Sequence, residues 1–222
     1  MTPSIDIGNG RRREARNVIL LIGDGMGQAH RFAGQLLAAG RNGRLSMDRL
    51  PYLGQMGTVS VDPASFVTDS AAAATAIATG VKTVNGAVGI DPDGRERTTI
   101  LELAKRSGRA TGLITTCQIT DATPAAFAAH VPYRADQSEI ARQYVERTGV
   151  DVILGGGGAY WFPPDTALPR QLSGDSPWYG VGTCGNLVER AREFGYEFVS
   201  GERDLRDHLG RRTDRGAPRL LG

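Results

Sequence analysis

Short apolar runs separated by helix-like stretches recur along this chain, and that alternation narrows its fold more than any other feature. NVILLIG, at residues 17–23, shows no polar alternation and reads as a strand buried on both faces. GQMGTVSV at 54–61 reads as a second, more exposed strand. A helix follows over 70–79, where SAAAATAIAT is almost entirely small and Gly80 stands at its end. TTILELAKRSG begins with Thr99 three residues before Glu102, the spacing of a capping box, and stops at Gly108. ATGLITT is the next strand. In ATPAAFAAH the pattern places Thr123 as N-cap and Pro124 at the first helical position. DQSEIARQYVERTG is an amphipathic helix ending near Gly149, and DVIL is a strand that runs into the glycines at 155–158. NLVERAREFG, YEFV and ERDLRDHLG read as helix, strand and helix, and PRLLG as the beginning of a further strand. This order predicts an α/β fold with a mostly parallel central sheet covered by helices on both faces. The Pro-, Gly- and Ser-rich stretch from 160 to 184 reads as a surface excursion rather than a domain boundary.

Bulk properties exclude several classes of function. A chain of 222 residues, 40% hydrophobic with net charge +2, is globular rather than disordered. The small positive excess is no argument for nucleic acid, and 6% aromatic content offers little platform for base stacking. The basic run RRREAR at 11–16 reads as part of a solvated, flexible N-terminal arm spanning 1–16. Cys117 and Cys184 stand far apart, in no zinc or redox motif. No segment approaches a membrane span, and no export signal is visible.

In open α/β sheets ligands bind beyond the carboxyl ends of the strands, so the residues that follow each predicted strand are the candidates for a site. Asp24 follows the first, in GDGMG, and Asp69 and Ser70 follow the second and its loop. Asp121 and Thr123 follow the third, with Arg134 one short helix later. Carboxylates, hydroxyls and an arginine on one rim suit hard divalent cations and a phosphate. GDGMGQ fails the dinucleotide spacing, and Ser70 lacks the elbow of the α/β-hydrolases. A serine hydroxyl is a weak nucleophile that needs a base or a metal. No histidine lies near Ser70, so metal activation is the natural route, with Asp24 as a hard oxygen ligand. A helix start at Ser70 turns free N–H groups toward a phosphate, Arg134 can clamp two of its oxygens, and Asp69 can orient that arginine.

Taken together, VILLIGDGMG, VTDSAAAATAIATGVKTVNGAVGID, DATPAAFAAHVPYR and DVILGGGGAYW resemble consecutive blocks of the metal-dependent alkaline phosphatase family over most of residues 17–160. The resemblance implies a three-layer sandwich and hydrolysis of small phosphate monoesters through a transient phosphoserine, with two Zn²⁺ and one Mg²⁺. By motif, Ser70 matches the nucleophile and Arg134 the phosphate-holding arginine, with Asp69 its neighbour. Asp24 matches the carboxylate shared between zinc and magnesium, and Thr123 a magnesium ligand. Asp121 matches the residue that shapes the magnesium site, so the implied metal contacts are Asp24, Asp121, Thr123 and Ser70. Ser70 is thereby expected to be both nucleophile and helix cap. The resemblance also implies a periplasmic or extracellular location and a homodimer.

The family's remaining metal ligands, a glutamate, a D-x-x-x-H pair, a D-H pair and a further histidine, have no counterpart here. His30, His130 and His208 stand in no ligand motif. The expectation is therefore that residues 17–222 are the N-terminal part of an alkaline phosphatase domain, incomplete at the C-terminus, with little hydrolase activity alone. The alternative is a non-catalytic truncated or decayed copy that binds magnesium or phosphate weakly. A nucleotide-binding domain, and within the enzymatic class a phosphodiesterase or sulfatase relative, are further alternatives; neither cysteine stands in the sulfatase context.

Overall fold

The computed structural model describes residues 4–6, 12–166, 182–210 and 219–222. The chain divides into two units, residues 1–54 and 55–222.

In the first unit β1 (Ser4–Asp6) and β2 (Arg12–Glu14) pair antiparallel, with Ser4 opposite Glu14. Both lie in the stretch expected to be a basic arm. Residues 17–23 form no strand, and Val18, Ile19 and Leu21 are exposed. The expected doubly buried strand is absent for a physical reason. Apolar side chains express a wish for burial, but a strand exists only where a ladder receives its N–H and C=O groups, and no described residue pairs with this run. Helix α1 (Gln28–Ala39) follows and ends at Gly40, whose φ is +73°. A 3₁₀ turn at Ser46–Arg49 is tied to α1 by the Arg31–Asp48 ion pair. That pair holds the Asp48 carboxyl below its usual range.

The second unit contains the sheet. Residues 55–61 are irregular and expose Met56 and Val59, so the second expected strand is also absent, for want of a pairing partner among the described residues. Helix α2 (Ser70–Thr79) buries Ala71, Ala72, Ala74, Thr75 and Ala78, and ends in left-handed Gly80. It packs against α4 (Ala122–Ala128), of which Ala122, Ala125, Ala126 and Ala128 are wholly buried. Alanines dominate both helices, with Ile77 and Phe127 their large apolar side chains, so the two backbones can approach closely. Between them in sequence, α3 (Ile100–Arg106) opens with the predicted capping box: Thr99 Oγ1 accepts from Glu102 N at 3.1 Å, and Glu102 Oε2 accepts from Thr99 N at 2.9 Å.

Strands β3 (Gly112–Gln118), β4 (Val152–Gly156), β5 (Tyr196–Phe198) and β6 (Arg219–Leu221) form one parallel sheet in the order β3-β4-β6-β5. The predicted α/β class with parallel strands is therefore correct. The last strand in sequence fills the interior of the sheet, with Val152 opposite Leu220 and Glu197 opposite Leu220 on the other side. Helix α5 (Gln137–Gln143) continues into a π-helical turn, Tyr144–Thr148, which ends at left-handed Gly149. Helices α6 (Leu187–Glu193) and α7 (Glu202–Gly210) complete the unit. The core runs from the α2–α4 contact through Ile140, Tyr144 and Ile153 to Leu187 and Tyr196. Tyr144 is fully buried and donates its hydroxyl to Ile119 O at 3.0 Å. Of the excursion expected at 160–184, residues 167–181 lie outside the described residues.

Candidate active site

The serine singled out by its setting does not cap its helix. Asp69 does: its backbone is extended (φ −90°, ψ 175°) and its Oδ1 accepts from Ala72 N at 2.9 Å, while Ser70 is already helical. Asp69 wins the position because a carboxylate can satisfy more donors than a hydroxyl. Its Oδ2 also accepts from Gly86 N at 3.0 Å and from Arg134 Nη1 at 3.2 Å. A negative charge at the first turn is further favoured by the helix dipole. Freed from capping, the Ser70 hydroxyl lies half-buried, 2.9 Å from Arg134 Nη1.

The same correction holds at α4. Asp121, not Thr123, is the N-cap, with Oδ1 accepting from Ala122 N at 2.7 Å. Thr123 becomes the second helical residue and Pro124 the third, which is tolerated because the first-turn N–H groups have no intrahelical partner. Asp121 Oδ1 also accepts from Arg134 Nη2 at 2.7 Å.

Arg134 therefore joins three predicted residues, Asp69, Ser70 and Asp121, through the two ends of one guanidinium. A short antiparallel bridge brings it there: Val88 and Val131 exchange two backbone bonds of 3.0 Å, and Arg134 N donates to Gly86 O at 2.8 Å. Burial works against the Arg134 charge, but Asp121 and then Asp69 outweigh it and raise the arginine further above its ordinary range. The guanidinium is a fixed cation aimed at the Ser70 oxygen, able to stabilise negative charge on it or on a group bound to it.

Beside Asp121 a depression of about 450 Å³ opens at the carboxyl ends of β3 and β4, lined by Thr116, Cys117, Gln118, Gly156 and Gly157. This is the rim that strand-end reasoning pointed to. Glycine at 155 is a steric requirement, since a Cβ there would stand 2.8 Å from Thr115 Cγ2. Asp24 belongs to the first unit, where Gly23 O accepts from Met26 N at 3.2 Å and Gly25, with φ +66°, occupies the turn position that demands glycine.

Asp121 and Thr123, two residues apart in one helical turn, offer oxygen donors of the kind magnesium takes. Zinc is not matched. No group of three or more His, Cys, Asp or Glu able to hold a metal occurs among the described residues. His130 is buried with Nδ1 2.7 Å from Gly89 O and Nε2 3.0 Å from Glu102 Oε1, and His208 Nδ1 lies 2.7 Å from Glu197.

Two residues escaped the reading of the sequence. Asn85 Oδ1 accepts from Asp69 N at 3.1 Å, and Gly86 supplies bonds to Asp69 and Arg134. Their signal was the Asn-Gly dipeptide, a turn marker.

A family model described as alkaline phosphatase matches residues 15–222. Alkaline phosphatase 3 of Bacillus subtilis is 36% identical over 96% of this chain and 45% of its own length. Streptomycin-6-phosphate phosphatase of Streptomyces griseus is 40% identical over 86% of this chain and 44% of its own. Among solved structures, a cold-active alkaline phosphatase from Shewanella sp. superposes with a TM-score of 0.70 at 33% identity, over 90% of this chain and 44% of that one. The chain thus spans less than half the length of these relatives. On the match over residues 15–222 and these identities, the chain belongs to the alkaline phosphatase family.

Proposed function

We propose that the protein to which this chain belongs hydrolyses small phosphate monoesters through a phosphoserine at Ser70. The observation that supports this most directly is the 2.9 Å contact between Arg134 Nη1 and Ser70 Oγ, with the guanidinium held by Asp69 and Asp121. In the first step the Ser70 oxygen attacks phosphorus, the P–O bond to the alcohol breaks, and the alcohol leaves with a proton. Water then attacks the phosphoserine and returns the Ser70 hydroxyl with release of inorganic phosphate. Arg134 holds the transferring group and offsets its charge, and Asp69 and Asp121 keep the guanidinium from following the departing phosphate. When bound, the zinc and magnesium ions implied by the family would activate hydroxyl and water; the described residues lack a zinc donor set. Magnesium would draw on Asp121 and Thr123.

Export to a periplasm or the outside, and assembly as a homodimer, belong to the same proposal. No helix among the described residues is long and apolar enough to cross a membrane. The test is acid quenching during incubation with p-nitrophenyl phosphate, zinc and magnesium, followed by peptide mapping. Phosphate on Ser70, absent in Ser70→Ala, is the expected result; turnover that survives Ser70→Ala overturns the mechanism. We also expect the 222-residue chain alone to turn over little, and steady turnover by it that depends on Ser70 would overturn that expectation.

A further inference from the structure

The approach to Ser70 is held by a set of polar contacts. Residues 61–69 are irregular, and Phe66 and Val67 are exposed, so these two side chains do not anchor the backbone that must deliver Asp69 in the extended conformation its cap requires. Beside the Ser65 hydroxyl, which bonds Val67 O and N, a side chain sixteen residues beyond Asp69 ties it down. Asn85 Oδ1 accepts from Asp69 N at 3.1 Å, and Asn85 Nδ2 donates to Val67 O at 2.9 Å. One amide thus grips the chain on both sides of Thr68. Asn85 N is itself anchored to Asp62 Oδ2 at 3.2 Å, and the next residue, Gly86, donates to Asp69 Oδ2 and accepts from Arg134 N.

We infer that Asn85 is the positioning residue of this site: its amide sets the Asp69 backbone, and through the Asp69 carboxylate it sets where Arg134 meets Ser70. Only a side chain carrying donor and acceptor on one short planar group can make both bonds. Serine has too little reach to make both, and alanine can make neither. The consequence for phosphate rests on the reading of Ser70 and Arg134 given above, but the positional claim does not.

The experiment is amide hydrogen exchange and arginine side-chain NMR on the isotopically labelled chain, with inorganic phosphate as probe. In Asn85→Ala, exchange at the Asp69 and Gly86 amides should accelerate about tenfold, the scale of one lost hydrogen bond. The Arg134 guanidinium signals should lose their restriction, while the Glu102 amide, bonded within the separate Thr99 cap, keeps its protection. If Asn85→Ala yields little folded protein, Asn85→Ser carries the same measurement. Unchanged exchange at Asp69 and Gly86, or equal acceleration at Glu102, overturns the inference, the latter because Asn85 would then serve general stability. Phosphate decides the other question separately. Shifts at Ser70 and Arg134 in the unaltered chain support the phosphate site, and their absence overturns that reading while the exchange pattern still judges Asn85.

Discussion

Replacing Asp69 and Ser70 one at a time by alanine separates the structure's account of the Asp-Ser pair from the account that residue preferences suggest. If serine caps the helix, Ser70→Ala should cost about 1 kcal/mol. With Asp69 as cap, the burden moves one residue. Asp69→Ala removes the acceptor of Ala72 N, worth about 1 kcal/mol as an N-cap. It also leaves Gly86 N without that carboxylate, for about another 1 kcal/mol. The Arg134 contribution is small, because both side chains retain more than a quarter of their exposure and Arg134 keeps Asp121. The sum is about 2 kcal/mol, or roughly 4–8 °C in Tm for a unit of this size. Ser70→Ala loses one half-buried bond from Arg134 and gains helix propensity, so it should fall within about 0.5 kcal/mol of the parent. Urea denaturation followed by circular dichroism measures both. Equal destabilisation by the two substitutions, or a larger effect at Ser70, would refute the assignment of the cap.

Three further outcomes follow from the packing. Tyr144→Phe should destabilise by about 1–2 kcal/mol at neutral pH, since Ile119 O loses its buried donor. Burial, aided by Asp121, pushes the Tyr144 hydroxyl well above its usual range, so its stabilisation is complete below about pH 10 and is lost above it. The variant should therefore show a shallower alkaline loss of stability in urea titrations, the remainder including Tyr196, which burial pushes up to about 12. Asp151 gives the opposite sign. Burial raises its pKa, but Lys105 and the Thr111 N–H outweigh that and lower it, so its contribution is present above about pH 4 and is lost as acid protonates the folded form. Asp151→Asn should flatten that acid limb of the stability profile. Gly89→Ala should fail to give a stable fold, judged by loss of cooperative unfolding. Its φ is +64°, and an added Cβ would overlap Ala129 O and stand 2.8 Å from His130 Nδ1.

Elements whose specification is local were legible in the residues alone. The Thr99–Glu102 capping box, the helix over Ser70–Thr79 with Gly80 in the left-handed region, and the parallel strands β3 and β4 all stand where periodicity and capping signals placed them. The candidate site was legible as a set of residue types at strand ends. Asp69, Ser70, Asp121 and Arg134 were named from the chain, and the second unit brings those four together.

What remained for the tertiary structure was every choice between neighbours of similar propensity. Asp69 and Ser70 are both good caps; the decision came from Gly86 and Arg134, donors far along the chain that only a carboxylate could serve together. Asp121 displaced Thr123 in the same way. The run at 17–23 carries as strong a strand signal as any here, yet strand formation needs a partner's backbone, which composition cannot supply. Asn85 was silent for the converse reason. Its turn signal is local, but its grip on Val67 and Asp69 depends on two loops meeting. The sequence by itself determined the family, the α/β class and the chemical inventory of the site, because these rest on residue identity and short-range order. Tertiary structure alone decided which atoms of that inventory face one another, because a hydrogen bond depends on distance in space and residues remote in the chain compete for the same acceptor.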